Sequence, residues 1–244
     1  MSVYSKIPPW ELTSIENIQS RAKKSQETLL GFCNEHDDNS GAVISVFPLD
    51  TYFIHAPHCW KGWHAQCVNG DEAKLSLREA WLGMEQVVID GSAKRIGLSN
   101  VREDELKDII AFVKERQKKG ITSARMPDVL QQYSDPLRPA TRIRELCKEF
   151  GIEFLSFSTL GTQHSMQHRG ANPVLNNDVI LRLADLYERS TAEIVLSWAL
   201  QRNMSVIPRS SKKNHIQQLS NLIYEQSGFL EEEHLVLIDS LSWE

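Results

Sequence analysis

Two small polar residues follow a short apolar stretch in the middle of the chain. From Asp90 to Val101 the sequence reads as the end of a helix, a glycine-containing turn, an apolar strand and then the pair Ser99-Asn100. Hydroxyl and amide groups at the carboxyl end of a parallel strand are well placed to hydrogen-bond a polar ligand. Both residues are also common in turns, so a purely structural role is the alternative.

A cationic segment in the C-terminal third is the second candidate site. The helix predicted to begin at Lys213 follows a run of cationic and hydroxyl residues, namely Arg209, Ser210, Ser211 and Lys212. Such groups next to a helix N-terminus make a good site for a phosphate dianion. From these residues alone, a solvated basic turn without a ligand is the favoured interpretation.

A run of histidines and cysteines follows the clearest predicted strand. Its spacing is H-x2-H-C-x4-H-x2-C, and its members are His55, His58, Cys59, His64 and Cys67. The run is chemically able to bind zinc, but its spacing matches no standard structural site. Trp60 and Trp63 favour an aromatic substrate loop at His58–Glu72 instead, so we predict no metal. His55, between an apolar strand and a proline, favours a functional role over that of a core histidine.

Strands and helices alternate along the chain and would position these residues. Six strands are predicted, at Val3–Ile7, Leu49–Ala56, Arg95–Leu98, Pro127–Gln132, Glu153–Phe157 and Ser205–Ile207. Helices are predicted at Ser14–Leu30, Leu75–Ile89, Glu103–Lys118, Pro139–Phe150, Asn177–Arg189, Thr191–Arg202, Lys213–Leu222 and Glu231–Leu241. Ser14 and Thr191 are the predicted N-caps, Gly151 a C-cap, and Cys33–Gly41 a polar loop. This alternation indicates a parallel α/β architecture.

Length and composition fit one compact domain over residues 1–244. The chain has 41% apolar and 24% charged residues and a net charge of −5, which argues against a nucleic-acid partner. No apolar run approaches the ~18 residues of a membrane span, and the N-terminus lacks the features of a signal peptide. The four cysteines are few and irregularly spaced. We therefore expect them to be reduced and the protein to be cytoplasmic, without a membrane partner.

Five segments, in order, resemble the NADP(H)-dependent aldo-keto reductases. They are Tyr52–Pro57, similar to the family's LIHxP; Ile96–Asn100, similar to IGVSN; Pro127–Pro136, similar to PxxxQxxxxP; Phe157–Gly161, similar to YSPLG; and Ile207–Ser211, similar to IPKS. The resemblance extends from Lys6 to the C-terminal helix. It implies an α/β fold of the (β/α)8 TIM-barrel type. Six predicted strands are two short of that barrel, so an incomplete barrel lacking the first two strands is expected.

The resemblance implies NADP(H) as the cofactor and indicates which residues bind it. Ser99, Asn100 and Gln131 are similar to the side chains that hydrogen-bond the nicotinamide carboxamide. Phe157 stands where the family has a stacking tyrosine, and a phenyl ring can still stack. The other implied cofactor contacts are Ser158, Leu160, Arg209, Ser210, Ser211, Lys212, His215 and Gln218. His215 replaces the usual arginine, and Gln218 and Leu219 replace the usual Glu-Asn pair at the adenine edge.

The resemblance also implies carbonyl reduction by a tetrad of Tyr, Lys, His and a carboxylate. Lys6 and His55 resemble the lysine and the histidine. The Tyr and Asp would precede residue 1, so we expect half of the tetrad and weak or altered activity on a small carbonyl substrate or its alcohol, since a general acid contributes about 10²–10⁴-fold. The alternative is a non-catalytic or non-redox barrel, either a nucleotide-binding regulatory subunit or a pocket reused for another reaction. A homo-oligomer is one way to cover the open barrel edge.

Overall fold

A computed structural model describes residues 2–34, 47–67, 73–164, 172–224 and 228–243. Most of the polar loop predicted at Cys33–Gly41, and the end of the loop predicted at His58–Glu72, lie outside these residues. The chain divides into two compact units, Met1–Leu130 and Gln131–Glu244. None of the described helices is both long enough and apolar enough to cross a membrane.

The first unit is built on parallel strands in chain order. Its strands are β1 (Tyr4–Ile7), β2 (Leu49–Ile54), β3 (Ala93–Ser99) and the first two residues of β4 (Val129–Tyr133). Its helices are α1 (Ile15–Asn34), α2 (Leu77–Ile89) and α3 (Glu103–Lys118). Lys6 lies opposite Phe53, and Phe53 lies opposite Gly97, in the parallel register of β1, β2 and β3. The register therefore aligns the carboxyl ends of neighbouring strands.

A glycine keeps these strands close together. A Cβ atom on Gly97 would lie 2.6 Å from the Phe53 ring and 2.6 Å from the Val129 carbonyl oxygen. Distances that short are not compatible with ordinary packing, so a larger residue would push β2 or β4 away from β3. The glycine in the segment Ile96–Asn100 thus has a packing reason in this structure.

The second unit has its own strands and helices. Its strands are the rest of β4, β5 (Glu153–Phe157) and β6 (Ser205–Val206), again in chain order, with β5 and β6 parallel. Its helices are α4 (Thr141–Glu149), α5 (Asp178–Leu186), α6 (Thr191–Gln201), α7 (Lys213–Tyr224) and α8 (Glu232–Asp239). Together with the first unit, the described residues contain six strands, and the predicted parallel α/β architecture is confirmed.

The helix ends confirm two of the three predicted caps. The Ser14 hydroxyl accepts a hydrogen bond from the Asn17 amide at 3.1 Å, and Gly151 after α4 has a φ of +66°, which suits glycine at a C-terminus. The prediction of Thr191 as an N-cap is wrong. Ser190 caps α6 instead, in a reciprocal capping box with Glu193, because the helix already includes Thr191.

Candidate active site and cofactor-binding residues

The predicted site residues of the first unit lie together at the carboxyl ends of its strands. Lys6 is the next-to-last residue of β1, and His55 directly follows β2. The His55 backbone amide donates to the Ile7 carbonyl at 2.9 Å. The Asn100 side-chain amide donates to the His55 carbonyl at 2.9 Å and to the Ser99 hydroxyl at 3.0 Å. The ends of β1, β2 and β3 are therefore joined through these residues.

Asn100 has the backbone conformation that a strand-end turn requires. Its φ is +56°, a left-handed conformation in which Asn is one of the few non-glycine residues found routinely. Its Nδ2 donates two hydrogen bonds within the protein. Asn100 thus has the structural role that the turn interpretation expected, whereas Ser99 lies in β3. These two hydrogen bonds use only Nδ2, so Oδ1 is the acceptor atom that Asn100 can present to a ligand.

The environment of Lys6 and His55 lowers the pKa of both side chains but leaves them in different charge states at neutral pH. Burial lowers the pKa of Lys6 to about 8. Burial, and then the positive charge of Lys6, lower the pKa of His55 to about 4. At neutral pH His55 is therefore neutral while Lys6 remains largely protonated. The pKa of His55 is therefore well below the value of about 6.5 of an unperturbed histidine.

An aromatic cluster lies against His55. The ring centroids of His55 and Trp63 are 4.8 Å apart, with the rings nearly perpendicular. Trp63 also contacts Trp10 at 5.3 Å and Trp60 at 4.7 Å, and the Trp10 ring stacks on the His64 ring at 4.3 Å. Trp60 keeps 47% of its surface exposed. The segment after β2 thus carries indole rings up to the predicted catalytic histidine.

A disulfide closes this segment. Cys59 and Cys67 are bonded, with their Cα atoms 5.3 Å apart, so the prediction that all four cysteines are reduced is wrong for this pair. Because both thiols are used, they do not serve as zinc ligands. Cys147 is free and buried, and burial raises its pKa to about 12. The side chain of Cys33 lies outside the described residues.

In the described part of the chain, one group of metal-ligating side chains converges closely enough to hold a metal ion. It comprises Glu231, Glu233 and His234, at the start of α8. Both carboxylates are exposed, and exposed acidic groups commonly converge in this way without an ion.

In the second unit, the predicted nicotinamide contacts lie on β4 and β5. Gln131 on β4 is 2% exposed. Phe157 is the last residue of β5 and is followed by Ser158, whose φ is +54°, and by Leu160. Ser158 accepts a backbone hydrogen bond from Gly161 at 2.9 Å, which closes a tight turn directly after the predicted stacking ring.

The predicted phosphate-binding residues form one surface at the start of α7. Arg209, Ser210, Ser211, Lys212 and His215 line an open depression of about 500 Å³. The Ser210 hydroxyl accepts from the Lys212 backbone amide at 3.1 Å and lies 3.4 Å from the His215 Nδ1 atom. The first turn of α7 contains no acidic residue. Gln218 is half-buried further along α7 and does not line the depression.

Sequence reasoning missed a polar cluster in the second unit. The Tyr133 hydroxyl donates to Asp135, and the His164 Nε2 atom lies 3.0 Å from Asp135 Oδ2. Tyr133 follows Gln131 by two positions on β4, so their side chains share one face of the strand. The two-residue spacing could have identified Tyr133 as a neighbour of Gln131 from the sequence. His164 is remote in sequence, and no sequence pattern connects it to this cluster.

The strand order is that of a parallel α/β protein, a class of protein in which ligands usually bind at the carboxyl ends of the strands. The sequence model described as the Aldo/keto reductase family matches residues 20–240. The chain belongs to the aldo/keto reductase family. That family has the (β/α)8 fold, so the fold class predicted from the sequence is confirmed, with six strands among the described residues.

Three curated relatives have the same sequence identity to this chain. An NAD(P)H-dependent D-xylose reductase from Pyricularia oryzae is 30% identical over 68% of this chain and 53% of its own length. Aldo-keto reductase family 1 member A1 from Homo sapiens is 30% identical over 72% of this chain and 53% of its own length. The protein of that name from Gallus gallus is 30% identical over 79% of this chain and 57% of its own length. The chain thus spans about half the length of these curated relatives.

Proposed function

We propose that this protein is an NADP(H)-dependent oxidoreductase that acts on a small carbonyl compound or its alcohol. The observation that carries the proposal is the cluster of Lys6, His55, Ser99 and Asn100 at the strand ends of the first unit. Asn100 hydrogen-bonds both His55 and Ser99, and the charge of Lys6 acts on His55. Family membership and the names of the NAD(P)H-dependent relatives support the choice of cofactor.

The residues present suit a nicotinamide dinucleotide. A carboxamide has one acceptor oxygen and an NH₂ donor. In our proposal Asn100 Oδ1 accepts from that NH₂ group, and the Ser99 hydroxyl makes a further contact. Gln131 is a proposed nicotinamide contact in the second unit. Ser99 and Gln131 are buried polar side chains, 0% and 2% exposed, whose hydroxyl and amide groups can hydrogen-bond a carboxamide. Phe157 supplies the stacking surface, and Ser158 and Leu160 border the cofactor beyond it.

The cationic surface at the start of α7 is the proposed site of the 2′-phosphate. Arg209 and Lys212 supply charge, and Ser210, Ser211 and His215 supply hydrogen bonds, around one depression. Both basic residues are exposed, so a phosphate can reach them without a rearrangement. Gln218 is the proposed neighbour of the adenine. A site of this kind prefers NADP(H) to NAD(H) because only the former has the extra dianion.

Bound NADPH supplies the hydride in carbonyl reduction. The protein must then deliver one proton to the oxygen of the former carbonyl. With a pKa of about 8, Lys6 is protonated at neutral pH and acidic enough to donate, so we assign the proton to its ammonium group. His55, with a pKa of about 4, is neutral and serves as a hydrogen-bonding group that orients the substrate oxygen.

Two measurements on the intact chain test this proposal. Calorimetric titration should show NADPH binding, and NADPH oxidation with a panel of aldehydes that includes D-xylose should show turnover. We expect turnover to be at least about 10²-fold below that of relatives with a complete tetrad. Absence of NADPH binding would refute the proposal. Tight NADPH binding without turnover on any aldehyde would favour the non-catalytic alternative.

A further inference from the structure

A buried hydrogen-bonded anchor lies beside the proposed nicotinamide platform in the second unit. Its centre is Asp135, which is fully buried. Asp135 Oδ1 accepts from the backbone amides of Leu137 and Arg138, at 2.8 and 3.1 Å. Oδ2 accepts from the Tyr133 hydroxyl at 2.5 Å and lies 3.0 Å from His164 Nε2. Four donors for two oxygens are what an ionised, satisfied carboxylate requires.

The contact with Asp135 also determines which ring nitrogen of His164 carries the hydrogen. Because a carboxylate only accepts, the Nε2 atom of His164 carries the hydrogen in this arrangement. The same nitrogen is 2.9 Å from the Tyr133 hydroxyl, so Tyr133, Asp135 and His164 form a closed triangle. His164 is 2% exposed. Removing one of the three side chains leaves its partners with a donor or an acceptor that lacks a hydrogen bond, which is costly for buried groups.

Phe157 is connected to this triangle in two ways. The Tyr133 ring lies 6.1 Å from the Phe157 ring, centroid to centroid, within the range of aromatic pairs. In addition, the chain from Phe157 runs through the turn at Ser158 to His164, whose backbone amide donates to the Gly161 carbonyl at 3.2 Å. The triangle thus holds the segment 157–164 at its far end and the Phe157 ring at its near end.

We propose that Tyr133, Asp135 and His164 are positioning residues that hold Phe157, and the turn after it, in the orientation that receives the nicotinamide half of the cofactor. The inference rests on the proposed NADP(H) function and extends it by three residues. Tyr133 acts through its ring and its hydroxyl, whereas Asp135 and His164 act only through Tyr133 and the turn.

A role for Tyr133 as the proton donor fits the contacts less well. Its hydroxyl hydrogen is already donated to Asp135. Burial, followed by the hydrogen bond to Asp135 and its charge, raises the pKa of Tyr133. A phenol that is held protonated in this way is a good structural donor and a poor general acid.

The test compares two ligands that share the adenosine half. NADPH contains the nicotinamide, and 2′,5′-adenosine diphosphate lacks it but retains the 2′-phosphate. Tyr133→Leu and His164→Phe should each weaken NADPH binding roughly tenfold, about the effect of one lost aromatic or buried polar contact. Binding of 2′,5′-adenosine diphosphate should not change. Tyr133→Phe, which retains the ring, should recover part of the NADPH affinity.

The matched control is Tyr187→Phe. Tyr187 also makes a hydrogen bond to a histidine in the second unit, at 2.6 Å from His234 Nδ1, but it contacts α8 and not β5. This variant should bind both ligands as the unchanged protein does. The inference is wrong if Tyr133→Leu and His164→Phe alter neither affinity, or if they weaken both ligands equally. If the unchanged protein binds 2′,5′-adenosine diphosphate and NADPH equally weakly or not at all, the proposed function fails and the positioning role fails with it.

Discussion

At the level of single residues, environment decides the chemistry of the candidate site more than residue type does. His55 and Lys6 would both be expected near their ordinary pKa values from the sequence alone. In the structure, burial lowers both pKa values, and the positive charge of Lys6 lowers that of His55 further. In the proposed mechanism the lysine therefore takes the acid role that the histidine would have had in an exposed site.

The pH dependence of carbonyl reduction should reflect the pKa of Lys6 and not that of His55. Lys6 donates a proton only in its ammonium form, which is populated below its pKa of about 8. The rate should therefore be constant from pH 5.5 to about 7 and fall as the pH rises through about 8. His55 titrates near pH 4, below this window. The measurement is steady-state NADPH oxidation with a saturating aldehyde.

Two variants give this prediction its control. Lys6→Met should reduce the rate by at least about 10²-fold. Lys94→Met should leave the pH profile unchanged, because Lys94 lies at the opposite end of β3 and pairs with Asp50 at 3.0 Å. A fall in rate centred near pH 6.5 that disappears in His55→Asn would show instead that His55 is the donor.

Arg209 should be responsible for most of the preference for NADPH over NADH. A hydrogen bond to a charged group contributes about 1.5–3 kcal/mol, so Arg209→Ala should weaken NADPH binding by roughly tenfold or more and leave NADH binding unchanged. Calorimetric titration with each cofactor measures both constants. Arg182→Ala is the control, since Arg182 is an exposed arginine of α5. Equal affinities for the two cofactors in the unchanged protein would rule out a phosphate site at Arg209.

At the level of elements, periodicity and cap residues predicted the helices and strands well. The bounds predicted for α3 and β5 agree with the structure, and the other named elements differ at their ends by a few residues. The cap of α6 was misplaced by one position because Ser190 and Thr191 are both good cap residues. Only Ser190 has an acidic residue three positions later that completes a capping box.

Only those parts of the candidate site that depend on local sequence could be predicted. Ser99, Asn100 and His55 are strand-end residues, so strand prediction alone located them. The Asp135–His164 contact joins residues 29 positions apart, and the Cys59–Cys67 bond depends on how the segment after β2 folds back. Neither contact leaves a periodic signal in the sequence. The lowered pKa values depend on burial, which no local pattern specifies.

The capping box of α6 can be tested directly. The Ser190 hydroxyl accepts from the Glu193 amide at 3.3 Å, and Glu193 Oε2 accepts from the Ser190 amide at 2.9 Å. Ser190→Ala should lower the free energy of unfolding by about 1 kcal/mol. Thr191→Ala, one position along, should change it by only a few tenths, because that residue is already helical. Urea denaturation followed by circular dichroism measures both, and a larger loss for Thr191→Ala would place the cap where the sequence suggested.

At the scale of the whole molecule, the disulfide bears on both stability and environment. The prediction of a cytoplasmic protein rested partly on four reduced cysteines, and two of them are paired. Disulfides persist mainly in oxidising compartments, so the cysteines no longer support that location. The same bond constrains the segment that carries Trp60 and Trp63 towards His55.

Removing the disulfide should lower the melting temperature of the whole chain. A bond between residues 8 positions apart stabilises a protein by about 2.5 kcal/mol in the chain-entropy model. For a chain of this size each kcal/mol corresponds to about 2–4 °C, so Cys59→Ser/Cys67→Ser should melt about 5–10 °C lower in differential scanning calorimetry. Reductant should lower the melting temperature of the unchanged protein by a similar amount and leave the double variant unaffected. If reductant has no effect on the unchanged protein while Ellman titration finds Cys59 and Cys67 as free thiols, the bond does not form in solution.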